Sequence, residues 1–173
     1  MAQVNYLSNE IKSYDIPAEL LANKRQLTTS EIEVLKSNCN HNEDSSWKNI
    51  YVDKEDDFFD PSLIIENFFS GYVILGKIKR AVISYNDIHL ECGIRKSKLN
   101  NVVIGDDCAI HNVAYLDNYR IGNRVILFNV DEICCTNHSK FGNGILKKGE
   151  SEDKRVWIGV GNENDGRSVL AFE

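Results

Sequence analysis

His138 stands in the densest run of hydrogen-bonding residues in the chain, between Asn137 and Ser139 and ahead of Lys140, Gly142 and Asn143. An imidazole changes charge near neutral pH and works as a general base when a carboxylate orients it. Asp131 is the carboxylate best placed in sequence for that task, with Glu132 after it and Asn129 before it. In this scheme His138 or His111 takes a proton from an acceptor hydroxyl or amine. Asp131 or Glu132 holds the imidazole, and Asn129, Asn137, Lys140, Asn143, Glu163 and Arg167 join Glu132 as candidates for gripping a substrate. The plainer reading also stands. Asp131 then caps a loop, and His138 and His111 are ordinary surface residues.

Other chemistries find less support. Cys134 and Cys135 are adjacent but lack CxxC spacing, and no run supplies the three or four converging ligands of a metal site. A Walker loop, a dinucleotide fingerprint and a serine elbow are all missing from the sequence. No permanently bound cofactor is therefore expected.

These candidates sit at the end of a repeat. From Val73 to Ile133 a small residue recurs two places before an aliphatic one, at steps of five or six. The pairs include Val73/Leu75, Cys92/Ile94, Ser97/Leu99, Val102/Ile104, Cys108/Ile110, Ala114/Leu116, Val125/Leu127 and Asp131/Ile133. The spacing has no helical component and predicts a hexapeptide parallel β-helix of about three to four coils over 63–135. It explains Cys92 and Cys108 as packing in small inward slots. It also makes Asp131 anomalous, because a buried carboxylate is costly unless paired. Gly76, Gly105 and Gly122 each follow an aliphatic residue and read as corner glycines taking positive φ.

Residues 1–62 read as an α-containing, partly irregular cap. Thr28 and Glu31 have capping-box spacing ahead of the Ile32 and Leu35 stripe, and Trp47 to Val52 reads as extended. Residues 136–173 read as a polar loop and extension, with a strand at Val156–Val160, that continues into a longer protein. The 173 residues carry a net charge of −6 and a pI near 5.3, which disfavours nucleic acid and anionic membrane as partners. Met1 to Asp15 lacks signal-peptide character, and five cysteines without framework spacing suit reduced thiols. A cytoplasmic protein is expected. Basic residues do gather at Lys77, Lys79, Arg80, Arg95, Lys96 and Lys98. They serve either as solvated outer positions or as a site for a phosphate-bearing ligand.

The run Val103 to Val113 resembles hexapeptide-repeat transferases in general. A longer set is more specific: Leu127 to Ile133, Thr136 to Gly144 and Trp157 to Arg167. It resembles a family of large bacterial proteins carrying a domain of unknown function, with the similarity running from about Thr28 onward. The N-terminal part of that family is similar to the β-helices of sugar-nucleotide pyrophosphorylases and acyltransferases. That similarity implies left-handed coils, against the usual right-handed crossover, and a dimer or trimer. By analogy with acyl-transferring β-helix enzymes, His111 becomes a candidate base. The resemblance supplies no established catalytic residues. Two functions follow as expectations: a transferase using a sugar or sugar nucleotide, with acyl-CoA as a candidate donor, or a non-catalytic scaffold or regulatory module of a larger nucleotidyltransferase-like protein.

Overall fold

The Thr28 hydroxyl accepts the Glu31 amide, and the Glu31 carboxylate accepts the Thr28 amide at 2.7 Å, completing the expected capping box. The box starts α2 (Thr29–Ser37), which follows the short α1 (Ala18–Leu21) and strand β1 (Lys24–Gln26). Arg25 on β1 donates to both Glu31 carboxylate oxygens, at 2.9 and 2.8 Å, so strand and helix are pinned together. Leu35 is the helix residue that enters the core. The computed structural model describes residues 16–54 and 59–135, together with the backbone of Arg155–Val160 and Arg167–Phe172.

Beyond the helix the regular elements of the described residues are nearly all strands: β2 (His41–Asn42), β3 (Ile50–Asp53), a 3₁₀ turn at Pro61–Leu63, β4 (Ile64–Ile65) and β5 (Phe68–Leu75). Then come β6 (Val82–Tyr85), β7 (Ile88–Glu91), β8 (Gly93–Arg95), β9 (Lys98–Ile104), β10 (Ala109–Asp117), β11 (Arg120–Ile121) and β12 (Ile126–Cys134). Contacts divide the chain into two compact units, Met1–Cys135 and Thr136–Glu173. The second contains the antiparallel pair β13 (Arg155–Val160) and β14 (Arg167–Phe172).

The regular left-handed parallel β-helix expected from the spacing is not what forms. The ten-stranded sheet is mixed and curls into a half-barrel. Strand β1 joins β3 antiparallel. Ile83 and Ile88, which fall within the repeat stretch, leave the sheet altogether, in the separate antiparallel hairpin β6–β7. Parallel partners lie at unequal separations, with Ile64 opposite Ile94 but Ile94 opposite Ile110. Small and aliphatic residues two apart show only that alternate side chains face one way. They do not say how successive strands close.

The inward residues still form one core. Leu75, Ile94, Leu99, Ile104, Ile110 and Leu116 are fully buried, and Cys92 and Cys108 fill small slots among them. Each such aliphatic contributes roughly 1.5–3 kcal/mol on burial. Gly76 and Gly105 are demanded by close approach rather than by positive φ. A Cβ on Gly76 would lie 2.5 Å from the Gly105 carbonyl carbon, and one on Gly105 would lie 2.6 Å from that of Gly122. Gly122 does not take positive φ either; that conformation falls on Gly71 and Gly93 and on non-glycine residues such as Glu66, Lys96, Asn112 and Asn129, where strands turn.

Buried amides hold those turns. Asn40 Oδ1 accepts the backbone and side-chain N–H groups of Asn67, at 3.0 and 2.9 Å. Asn67 Oδ1 accepts the Ser97 amide at 2.9 Å, and its Nδ2 donates to the Ile94 carbonyl at 2.8 Å. The Ser97 hydroxyl in turn accepts the Val113 amide at 3.1 Å. Both asparagines are 2% exposed, so these bonds face no competition from water.

Two outcomes are expected. Asn67→Ala strands the Ser97 amide and the Ile94 carbonyl, and urea unfolding should show a loss of about 2–4 kcal/mol. Burial raises the pKa of the Cys92 and Cys108 thiols, so an alkylating reagent should label exposed Cys39 in the native protein while these two react only after unfolding.

Candidate functional site

Across the turn made by Glu66, Lys96, Asn112 and Asn129, the strands do not advance equally. Inward Asn67 and Phe69 are two apart, as are Ser97 and Leu99. On β10 the inward residues are Val113 and Leu116, three apart, and β12 repeats this with Val130 opposite Val113 and Ile133 opposite Leu116. Each of these strands therefore carries one extra outward residue, the two-against-one count of a β-bulge. Ala114 and Tyr115 share the outer face on β10, and Asp131 and Glu132 share it on β12.

The extra residue explains where Asp131 lies. It is exposed, and Val130 takes the inward slot that the sequence assigns to Asp131. Glu132 is also exposed, and its carboxylate accepts the Cys134 thiol at 3.0 Å. That bond, with burial and the nearby Asp117 adding to it, raises the Cys134 pKa. Asn129 is spent on structure, because its Oδ1 accepts Asn112 Nδ2 at 2.7 Å.

His111 faces Arg95 on one neighbouring strand and Phe128 on the other. Its pKa is lowered, first by burial and then by the Arg95 guanidinium; a hydrogen bond to the Glu91 backbone and the Glu91 carboxylate oppose the shift. Nε2 is shut off from solvent and has no hydrogen-bond partner. The ring is thus neutral at pH 7, as a base must be, but its free nitrogen is closed to an incoming substrate. Arg95 itself is paired with Glu91.

Asn137, His138, Lys140, Asn143 and Glu163 lie outside the described residues, so the proposed Asp131–His138 pairing rests on sequence alone. Arg167 opens β14 opposite Val160. Among the described residues no group of three or more His, Cys, Asp or Glu could hold a metal, and no helix is long and apolar enough to cross a membrane.

The outer face of the same turn carries a shallow groove of about 430 Å³, lined by residues that include His41, Glu66, Phe68, Lys96, Lys98 and Ala114. The sheet register builds it and sets Tyr115 and Glu132 on the outer face next to it. His41 stands opposite Phe68, Phe68 opposite Lys98 and Tyr115 opposite Glu132, while Leu99 opposite Leu116 sets Lys98 beside Tyr115. Lys98 Nζ lies 5.6 Å from the Phe68 ring centroid and 5.3 Å from that of Tyr115, so two rings flank one ammonium. Burial, and then the Asp117 carboxylate, raise the Tyr115 phenol pKa, so it stays neutral and able to donate. Phe68 is 39% exposed, an open aromatic surface. Glu132 and the lysines stand out in the sequence, whereas His41, Phe68 and Tyr115 do not. Their only signal was an aromatic or charged residue between two inward positions.

The fold and this groove define a mainly-β protein that presents aromatic and cationic side chains on a curled mixed sheet. Residues 24–170 match the family described as a domain of unknown function, DUF4954, and the chain belongs to that family. It is 41% identical over 148 residues to an uncharacterised protein of Treponema pallidum (strain Nichols), covering 86% of this chain and 20% of that relative. The chain therefore spans about a fifth of the relative's length. No solved structure matches it. The resemblance to a domain family without assigned function is borne out, whereas neither match connects the chain to hexapeptide-repeat transferases.

The lowered His111 pKa has a measurable consequence. The unfolded chain takes up the proton near the ordinary value of 6.5, before the folded protein does. This contribution to stability is complete above that value and is lost as pH falls below it, towards the folded pKa. Thermal unfolding between about pH 7.5 and about pH 5 should show a smaller drop in Tm for His111→Gln than for the parent.

Proposed function

We propose that this protein holds a sugar or sugar nucleotide in the groove beside Phe68 and Lys98 and is the ligand-binding part of a larger transferase. The observation that carries this reading is the pair of rings flanking Lys98 on an open face. Aromatic surfaces pack against the apolar faces of sugar rings and against nucleobases, and an ammonium meets phosphate. The exposed carboxylates of Asp131 and Glu132 extend the same face and can accept sugar hydroxyls. An acyl-CoA donor is not part of this proposal, because Nε2 of His111, the base that the analogy with acyltransferases offers, is closed to solvent.

A non-catalytic scaffold is the second reading, favoured by the closure of His111 Nε2. Calorimetric titration with free hexoses, uridine diphosphate sugars and guanosine diphosphate sugars separates the two. Binding by at least one ligand class, weakened about tenfold by Phe68→Ala, is the expected result. Absence of binding across the panel, with a correctly folded protein, would leave the scaffold reading in its place.

A further inference from the structure

We infer that the groove and the outer sheet face beside it orient a ligand: a phosphate group meets Lys98, and the sugar ring it bears leaves the groove across Tyr115 towards Asp131 and Glu132. The inference deepens the sugar-binding reading above and rests on it. Lys98 Nζ makes no ion pair among the described residues, and contact with the ring faces of Phe68 and Tyr115 uses its charge without consuming its three N–H donors. The rings also restrict the lysine stem, so less freedom is lost when an anion binds. Lys96 lies beside it on the groove wall, 3.8 Å from Glu66 and more than half exposed.

The far end has the opposite sign. Glu132 stands on the strand beyond Tyr115, and Asp131 shares its outer face because of the bulge. Adjacent strands are about 4.8 Å apart, so the cation and carboxylate ends are separated by about 10 Å, which a hexose bearing one phosphate spans. Carboxylates repel phosphate but accept hydroxyl hydrogens. A ligand with a phosphate at one end and a polyol ring at the other therefore has one favourable direction in the groove. The reversed ligand would set phosphate against Asp131 and Glu132.

Backbone amide shifts in solution NMR would test this, with titrations of a hexose 1-phosphate panel, the methyl glycosides of the same hexoses and inorganic phosphate. The parent and two surface variants, Lys98→Met and Glu132→Gln, are compared. A sugar phosphate should move the amides of Phe68, Lys98, Tyr115 and Glu132 and bind more tightly than either half alone. Lys98→Met should weaken sugar phosphate and inorganic phosphate by about tenfold or more while leaving methyl glycosides unchanged. Glu132→Gln should weaken sugar phosphate and leave inorganic phosphate unchanged. Glycosides binding as tightly as their phosphates, or inorganic phosphate alone binding as tightly as the sugar phosphates, would overturn the orientation and leave the broader proposal standing. Absence of binding by every probe and by the nucleotide sugars would remove both.

Discussion

The hydrogen-bonded line from Asn40 through Asn67 and Ser97 to Val113 is the constraint on which the rest of the sheet depends. Each member satisfies a backbone group at a turn, where the strand ladder cannot reach it. With those groups paired, the chain can leave one face of the sheet and enter the next without an orphaned amide inside. The turn then fixes the phase of everything after it. Phe69, Leu99 and Leu116 point inward, so Phe68, Lys98 and Tyr115 point outward and in line. A slip of one residue at Asn67 would reverse that alternation and dismantle the groove along with the core.

The bulge on β10 and β12 is a departure from that order with a use. It widens the outer face by one residue per strand without disturbing the inner one. On β10 the addition is Ala114, small enough to leave the groove open. On β12 it is Asp131, which adds charge. Bulges are over-represented where a sheet must re-aim side chains next to a site, and here the re-aimed residues are Tyr115, which flanks Lys98, and Glu132 opposite it. Hydrogen bonding to Asn112 and the pairing of Arg95 with Glu91 keep Asn129 and Arg95 committed to the frame. The face offered to a ligand is correspondingly narrow.

Much of the local structure was legible in the sequence. The Thr28–Glu31 box, the burial of Cys92 and Cys108 and the strand at Val156–Val160 all follow from side-chain chemistry close in sequence, and the structure bears them out; of the extended segment Trp47 to Val52 only the part from Ile50 onward is strand. Closure of the sheet was not legible. A period near six reports which residues face inward, and a mixed half-barrel satisfies that as well as a regular coil does. Asp131 was misplaced because an extra outward residue after a turn leaves no mark in the apolar spacing. The groove was mostly hidden for a related reason. His41, Phe68 and Lys98 of the groove and Tyr115 and Glu132 of the face beside it come from five strands, and only the register lines them up.

The hairpin β6–β7 has a bearing on how the chain can vary. It leaves the sheet between the Ala81 carbonyl and the Cys92 amide, which are hydrogen-bonded at 2.8 Å and close its base. Ile94 therefore reaches Ile64 and Ile110 whatever happens beyond that clasp. Loop-closure cost grows slowly with length, so insertions and deletions confined to the excursion leave the inner and outer ladders in register. The molecule thus has a place where evolution can change chain length at little cost to the groove, and a place where a designer could graft a new element.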